Sequence, residues 1–309
     1  MKDGAGIGRT MLLPANSSVI GTMQYLLPKE NVDIDVKYLY YAIDSMNLAK
    51  YYSGTTIPHI YYKDYQKEPI NLPCLAIQRE IANVFMKIDQ MIEWRNQQLQ
   101  KLDELVKSRF IEMFGDPVSN SYGLPEAVLS ELGELGRGVS KHRPRNDPQL
   151  LGGEYPLIQT GDVANAELYI STFNSTYSEL GLKQSKMWSK DTLCITIAAN
   201  IAKTAILQFD ACFPDSIVGF SANERTNNIF IHYWFSFFQE ILEAQAPESA
   251  QKNINLKILS DLKVIVPVKE KQNQFADFVA QVDKSKLAVQ KSLEQLEILK
   301  KSLMQAYFG

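Results

Sequence analysis

Two long stretches of the chain place apolar residues at alternating intervals of four and three. The first runs through Ile81, Phe85, Ile88 and Ile92, continues past Arg95 to Leu99, Leu102 and Val106, and stops at Phe114-Gly115. The second runs through Phe275, Val279, Val282, Val289, Leu293, Leu296 and Leu303, is interrupted by Lys286 and Lys300, and stops at Phe308-Gly309. This spacing is the heptad seam of a helix that packs along one stripe. It predicts helices over about 77–113 and 271–307, each of about 36 to 40 residues and roughly 55 to 60 Å at 1.5 Å per residue. Neither seam stays dry alone. Matched seams of equal length offer each other the readiest burial, so an antiparallel pair is expected, a ruler with a globular head at each end.

The two Phe-Gly endings lie 194 positions apart, and at that offset the chain repeats without a gap. Pro73 falls on Pro267, Gln78 on Gln272, Ala82 on Ala276, Asp89 on Asp283, and Lys107-Ser108 on Lys301-Ser302. Upstream, "GIGRTMLL" (6–13) lies on "NIAKTAIL" (200–207). The period is a domain plus a helix. The second unit begins near Val118, so the first lacks a counterpart of roughly 77 residues, about half of a domain of ordinary size. The expected organisation is a shortened first domain at 1–72, a helix at 73–117, a complete domain at 118–266 and a second helix at 267–309.

Between 118 and 266 the pattern changes to short β-type runs parted by turn signals: "YPLIQTGDV" (155–163), "TLCITIAANIAKTAILQF" (192–209) and "SIVGFSANE" (216–224). A helical "IHYWFSFFQEILEAQ" (231–245) follows. This predicts a compact α+β domain with a twisted sheet. Residues 1–72 are expected to hold a strand at 10–27 and a helix near 36–52. Their apolar faces would lie against the missing half, so this half-domain is expected to be covered by a polypeptide completing it or to be the more mobile of the two.

Charge sharpens one place. The net charge of −3 argues against a general nucleic-acid coat, yet "GRGVSKHRPRND" (136–147) gathers Arg137, Lys141, His142, Arg143 and Arg145 around a proline and glycines. Most charge runs are solvated loops; against an acidic background this one is the best candidate for phosphate or guanine contact. Gln159 and Thr160 on the adjoining turn are expected on the same surface, flanked by Lys203 and by Gln251, Lys252 and Asn253. The three cysteines lack pair spacing, and no signal-peptide core or membrane span is evident, which fits a reducing cytoplasm. His59, His142 and His232 have no metal-ligand partner at useful spacing. "GAGIG" (4–8) has no strand before it and repeats as "AANIA", so it reads as a tight connection rather than a dinucleotide fingerprint. No cofactor or metal is expected.

In their order these features resemble the DNA specificity subunits of type I restriction-modification systems over nearly the whole chain. The features are "ELGELGRGVSKHRPRNDPQLLGGEYPLIQTGDV" (131–163), the small-residue strand pair at 198–206, "AQKNINLKILSDLKVIVP" (250–267), Gln272 and the Leu-rich helix closing on Phe-Gly. "GTTIPHIYYKDYQKEPINLP" (54–73) repeats the helix entry in the first unit. The resemblance implies target-recognition domains alternating with two spacer helices. It implies a subunit without catalysis of its own that binds double-stranded DNA, docks modification (methyltransferase) subunits on the spacers and recruits restriction subunits through them. No Asn-Pro-Pro-Tyr or Asp-Pro-Pro-Tyr methyltransferase site and no P-loop occurs. The alternative is a coiled-coil adaptor or decoy that holds modification subunits without directing them to a target.

Overall fold

The computed structural model describes residues 6–53, 59–198, 201–245 and 254–309. It divides into two compact units, residues 1–101 with 285–309, and residues 102–284. Cutting the chain by sequence puts each long helix in a segment of its own. The compact units instead divide both helices, so that each unit combines one head with part of either helix.

The first unit begins with an irregular stretch, then α1 (Val36–Ser45), α2 (Tyr62–Tyr65) and the start of α3 (Leu75–Phe114). Asp35 caps α1, its Oδ1 accepting from the N–H groups of Lys37 at 2.9 Å and Tyr38 at 3.1 Å, which satisfies donors that a helix start leaves unpaired. The buried faces are Tyr38, Tyr41 and Ala42 of α1 with Ile81, Ala82 and Phe85 of α3, closed by Leu303, Met304 and Phe308. No strand forms at 10–27, and this corrects the reading from sequence. A strand is stable only when its backbone finds a neighbour. In the second unit the equivalent residues have neighbours that the first does not contain.

The second unit opens with the end of α3, which stops because Gly115 takes φ +76° and its N–H bonds back to Ile111 O at 2.8 Å. There follow β1 (Glu126–Val128), β2 (Gly133–Arg137), β3 (Leu151–Leu157), α4 (Thr160–Asn165), β4 (Tyr169–Ile170) and β5 (Ser175–Tyr177). Next come α5 (Glu179–Lys183), β6 (Met187–Trp188), β7 (Leu193–Thr196), β8 (Thr204–Leu207), β9 (Ala211–Cys212) and β10 (Ile217–Ala222). Then α6 (Asn228–Gln245), α7 (Leu256–Ser260) and β11 (Lys263–Ile265) lead into α8 (Lys269–Phe308). A five-stranded sheet has the order β2-β10-β7-β8-β4 and a four-stranded one β5-β3-β9-β6, while β1 pairs with β11. The run at 155–163 is strand for only its first part, because Asp162 accepts from Gln159 N–H at 2.8 Å and starts α4.

α3 and α8 run antiparallel within each unit. In the first, Phe85 meets Phe308 with ring centroids 5.8 Å apart, Asp89 pairs with Lys300 at 2.7 Å, and Arg95 Nε donates to Ser292 Oγ at 3.1 Å. In the second, Phe110 and Phe114 meet Phe275 at 5.4 and 5.7 Å. Of the seam residues, Ile81, Phe85, Ile88, Val106, Phe275, Val279, Val282, Val289 and Leu296 are buried, and Ile92, Leu99, Leu102, Leu293 and Leu303 are half-buried. Lys300 breaks the apolar pattern and is matched by Asp89 of the facing helix.

The repeat has a polar signature in the core. Gln78 and Gln272 are fully buried at the starts of the two helices. Gln78 Nε2 donates to Pro73 O at 2.7 Å and Asp33 O at 3.0 Å, and its Oε1 accepts from Asp35 N–H at 2.8 Å. Gln272 Nε2 donates to Pro267 O at 2.8 Å and Arg225 O at 3.0 Å, and its Oε1 accepts from Thr226 Oγ1 at 2.9 Å. Each amide ties a helix start to the loop before the head's helix. Gln272→Leu would leave three polar groups unmatched, two of them buried, at about 1 to 3 kcal/mol for each buried one. The expected result is a loss of about 3 kcal/mol in denaturant unfolding; a change below about 0.5 kcal/mol, as at an inert surface position, would contradict it.

Candidate nucleic-acid interface

The cationic loop follows β2 and is fastened at several points. Gly138 N–H bonds to Ile217 O at 2.8 Å and Val139 N–H to Phe213 O at 3.2 Å. Glycine is required at 138, because a Cβ there would stand 2.3 Å from Pro214 O and 2.5 Å from Phe213 O. Further on, Gln184 Oε1 accepts from the N–H groups of Lys141 at 2.7 Å and His142 at 3.0 Å. His142 Nε2 meets Asp147 Oδ2 at 3.1 Å. Asp147 also accepts from Gln149 N–H at 3.0 Å; that bond first, and the imidazole second, hold its carboxyl below the usual carboxylate range.

The arginines converge on one acidic residue. Asp215, in the turn between β9 and β10, receives Arg145 on Oδ1, and Arg143 Nη2 lies 3.5 Å from its Oδ2. Arg143 Nη1 donates to Ser140 O at 2.6 Å and His142 O at 2.8 Å. Arg137 Nε donates to the Asp215 backbone carbonyl. The guanidinium groups are thereby held in place while the side chains of Arg143 and Arg145 stay about half exposed, at 54% and 46%. Lys141 is exposed and has no carboxylate partner among the described residues. Four cations against Asp147 and Asp215 leave this surface positive, although the chain as a whole is acidic.

The segment 212–216 also brings in other candidates among the described residues. Ile158 N–H bonds to Cys212 O at 2.9 Å, which puts the exposed Gln159 and the half-buried Thr160, at the start of α4, beside the same turn. Ile197 N–H bonds to Ser216 O at 3.0 Å, so the β7–β8 hairpin that carries the half-buried Lys203 closes at this end of the sheet. Ile254 N–H bonds to Ile197 O at 2.9 Å there. Gln251, Lys252 and Asn253, just before it, lie outside the described residues. Asp215 and Gln184 were not evident as partners of the loop from sequence, since they lie 70 and 42 residues from the arginine and histidine they hold.

The remaining candidate chemistry is structural. His232 is buried with Nδ1 2.9 Å from Thr204 Oγ1. Cys194 and Cys212 are buried, and burial pushes both thiols up. Among the described residues no cluster of His, Cys, Asp and Glu could hold a metal ion, and no helix is long and apolar enough to cross a membrane.

Comparison with known proteins places this architecture. The family model for the type I restriction modification DNA specificity domain matches residues 1–104 and 126–298. The chain belongs to that family, as a type I restriction-modification specificity subunit. It is 22% identical to the type I restriction enzyme MjaVIII specificity subunit of Methanocaldococcus jannaschii, over 98% of this chain and 76% of that protein. Among solved structures, a chain from work on complex assembly and conformational transition of the type I R-M system superposes with a TM-score of 0.60 at 17% identity, over 88% of this chain and 70% of that one. The type I restriction-modification S subunit from M. genitalium superposes at 0.56 with 16% identity, over 90% and 73%. Both likenesses show the α+β fold with its two long helices.

Proposed function

We propose that this chain is a non-catalytic reader, acting in the cytoplasm, whose second head recognises one short half-site of double-stranded DNA. The observation that carries the reading is the convergence of Arg137, Arg143 and Arg145 on the Asp215 turn, with the exposed Lys141 beside them. Preorganised guanidinium groups suit bidentate contact with guanine or phosphate. Asp215 fixes their direction without covering them. Gln159, Thr160 and Lys203 extend the surface. Binding of labelled duplexes by the full chain tests this: a reader gives a sequence-dependent affinity ratio, whereas a decoy gives only a uniform, salt-sensitive background.

The same proposal assigns the long helices to docking modification subunits, which in turn recruit restriction subunits. Its support is the apolar surface they leave uncovered within the first unit. Met91 and Trp94 of α3 are 43% and 59% exposed, and Leu287, Ile298 and Leu299 of α8 are 53%, 69% and 46% exposed. An exposed tryptophan amid such residues is the usual anchor of an interface, and truncating one costs about 2 kcal/mol or more. Trp94→Asp is expected to weaken capture of the cognate modification subunit at least about tenfold, with folding unchanged. Equal affinity by calorimetry would remove this face from the docking surface.

A further inference from the structure

One row of residues crosses the four-stranded sheet of the second unit. Leu157 of β3 pairs with Ser175 of β5 on one side and with Cys212 of β9 on the other, and Cys212 pairs with Met187 of β6. β5 and β6 run opposite to β3 and β9, so one end of the sheet is formed by the residues before Ser175, after Leu157, after Cys212 and before Met187. Three of these segments carry the candidate interface: Gln159 with Thr160, Asp215, and Gln184. The fourth carries Phe173 and Asn174.

Among the described residues Phe173 is the one phenylalanine that is exposed, at 43%, although this side chain is among those most often buried. The ring is held in place. Its centroid lies 5.3 Å from that of Phe209 in an edge-to-face contact, and the adjoining Asn174 Nδ2 donates to Asp162 Oδ1 at 3.1 Å, which ties the segment to the start of α4. Ser171, Thr172 and Asn174 beside it are exposed and uncharged. The end of the sheet thus presents guanidinium groups at β9 and an apolar ring at β5, two strands away, or about 10 Å at the usual strand spacing. A phenyl ring offers no hydrogen bond to a base edge or a phosphate. The contact it can make is with another apolar group.

We propose that this end of the sheet lies along the major groove, and that Phe173 packs on the C5-methyl of a thymine about three base pairs from the base that the arginines hold, at about 3.4 Å per base pair. The inference rests on the reading of the cationic loop as the DNA interface. Arginine meets guanine O6 and N7 in the major groove, and the thymine methyl is the apolar group that the same groove presents. The minor groove presents no such group. Phe173 is accordingly a specificity-determining residue for one A·T pair of the half-site.

The test begins with the full chain selecting duplexes from a random pool, which supplies its motif. Each thymine of that motif is then replaced in turn by deoxyuridine, which removes the methyl and nothing else, and affinities are read by anisotropy. At one thymine the unaltered chain is expected to lose about fourfold in affinity, the factor that corresponds to one buried methyl. Phe173→Ala is expected to bind the thymine and uracil duplexes alike. An equal methyl effect in both chains would give that methyl to another residue and overturn the inference. So would an unaltered chain indifferent to every methyl; if Phe173→Ala then weakened all duplexes alike, the ring would be a wedge between base steps. These outcomes leave the loop as the interface, whereas a chain that selects no motif would overturn that reading and this inference with it.

Discussion

Phe110→Ala is expected to destabilise the second unit by about 3 to 5 kcal/mol, the range for removing a large aromatic from a packed core. Phe110 is fully buried, with ring centroids 5.0 Å from Phe114, 5.4 Å from Phe230, 5.1 Å from Phe237 and 5.4 Å from Phe275. Those rings come from both long helices and from α6, so the cavity opens where three elements meet. None can close on it alone. Trp188 and Trp234, both buried in this unit, report the transition in denaturant. The same truncation at Ile111, 44% exposed one residue along α3, is expected to change stability by less than about 0.5 kcal/mol. Similar shifts for the two variants would mean that the aromatic cluster does not hold the helices to the head.

Replacing Lys141, Arg143 and Arg145 together by alanine is expected to lower affinity for DNA by on the order of a hundredfold or more. Removing one cation from a phosphate reduces the salt slope by about 0.9, and removing one from a base edge costs about 1 to 3 kcal/mol. The geometry adds a second effect. With both arginines gone, the Asp215 carboxylate remains, at the turn proposed to face DNA, without the guanidinium charges it holds now. Restoring neutrality with Asp215→Asn in the triple variant is therefore expected to recover part of the affinity. Anisotropy titrations over a series of salt concentrations read both effects. Unchanged affinity and slope in the triple variant would exclude the loop as the interface.

The periodic parts of this fold were legible in the sequence. The seam and the repeat located both helices to within about two residues of α3 and α8, because burial along one stripe is a local pattern. Lys300 looked like a flaw in the seam; its partner Asp89 sits on the other helix, which no local pattern reveals. Strand assignment at 10–27 failed for a related reason. Its apolar content matches β8, but a ladder also needs a neighbour. The run at 155–163 carried its own correction, since Gln159 with Asp162 three residues on is a helix start. In the candidate interface the cations were visible as a charge run, while Asp215 and Gln184, which aim them, join it only through folding.

Whether the second head reads DNA through the loop at the Asp215 turn is decided most directly in cells, by methylome sequencing. Cells that carry this chain with its cognate modification subunit are compared with cells that carry the Lys141, Arg143 and Arg145 triple alanine variant at equal abundance. The unaltered chain is expected to give a newly methylated short motif, and the variant to lose that motif or blur it. A motif that is methylated equally in both would contradict a reader built on this loop.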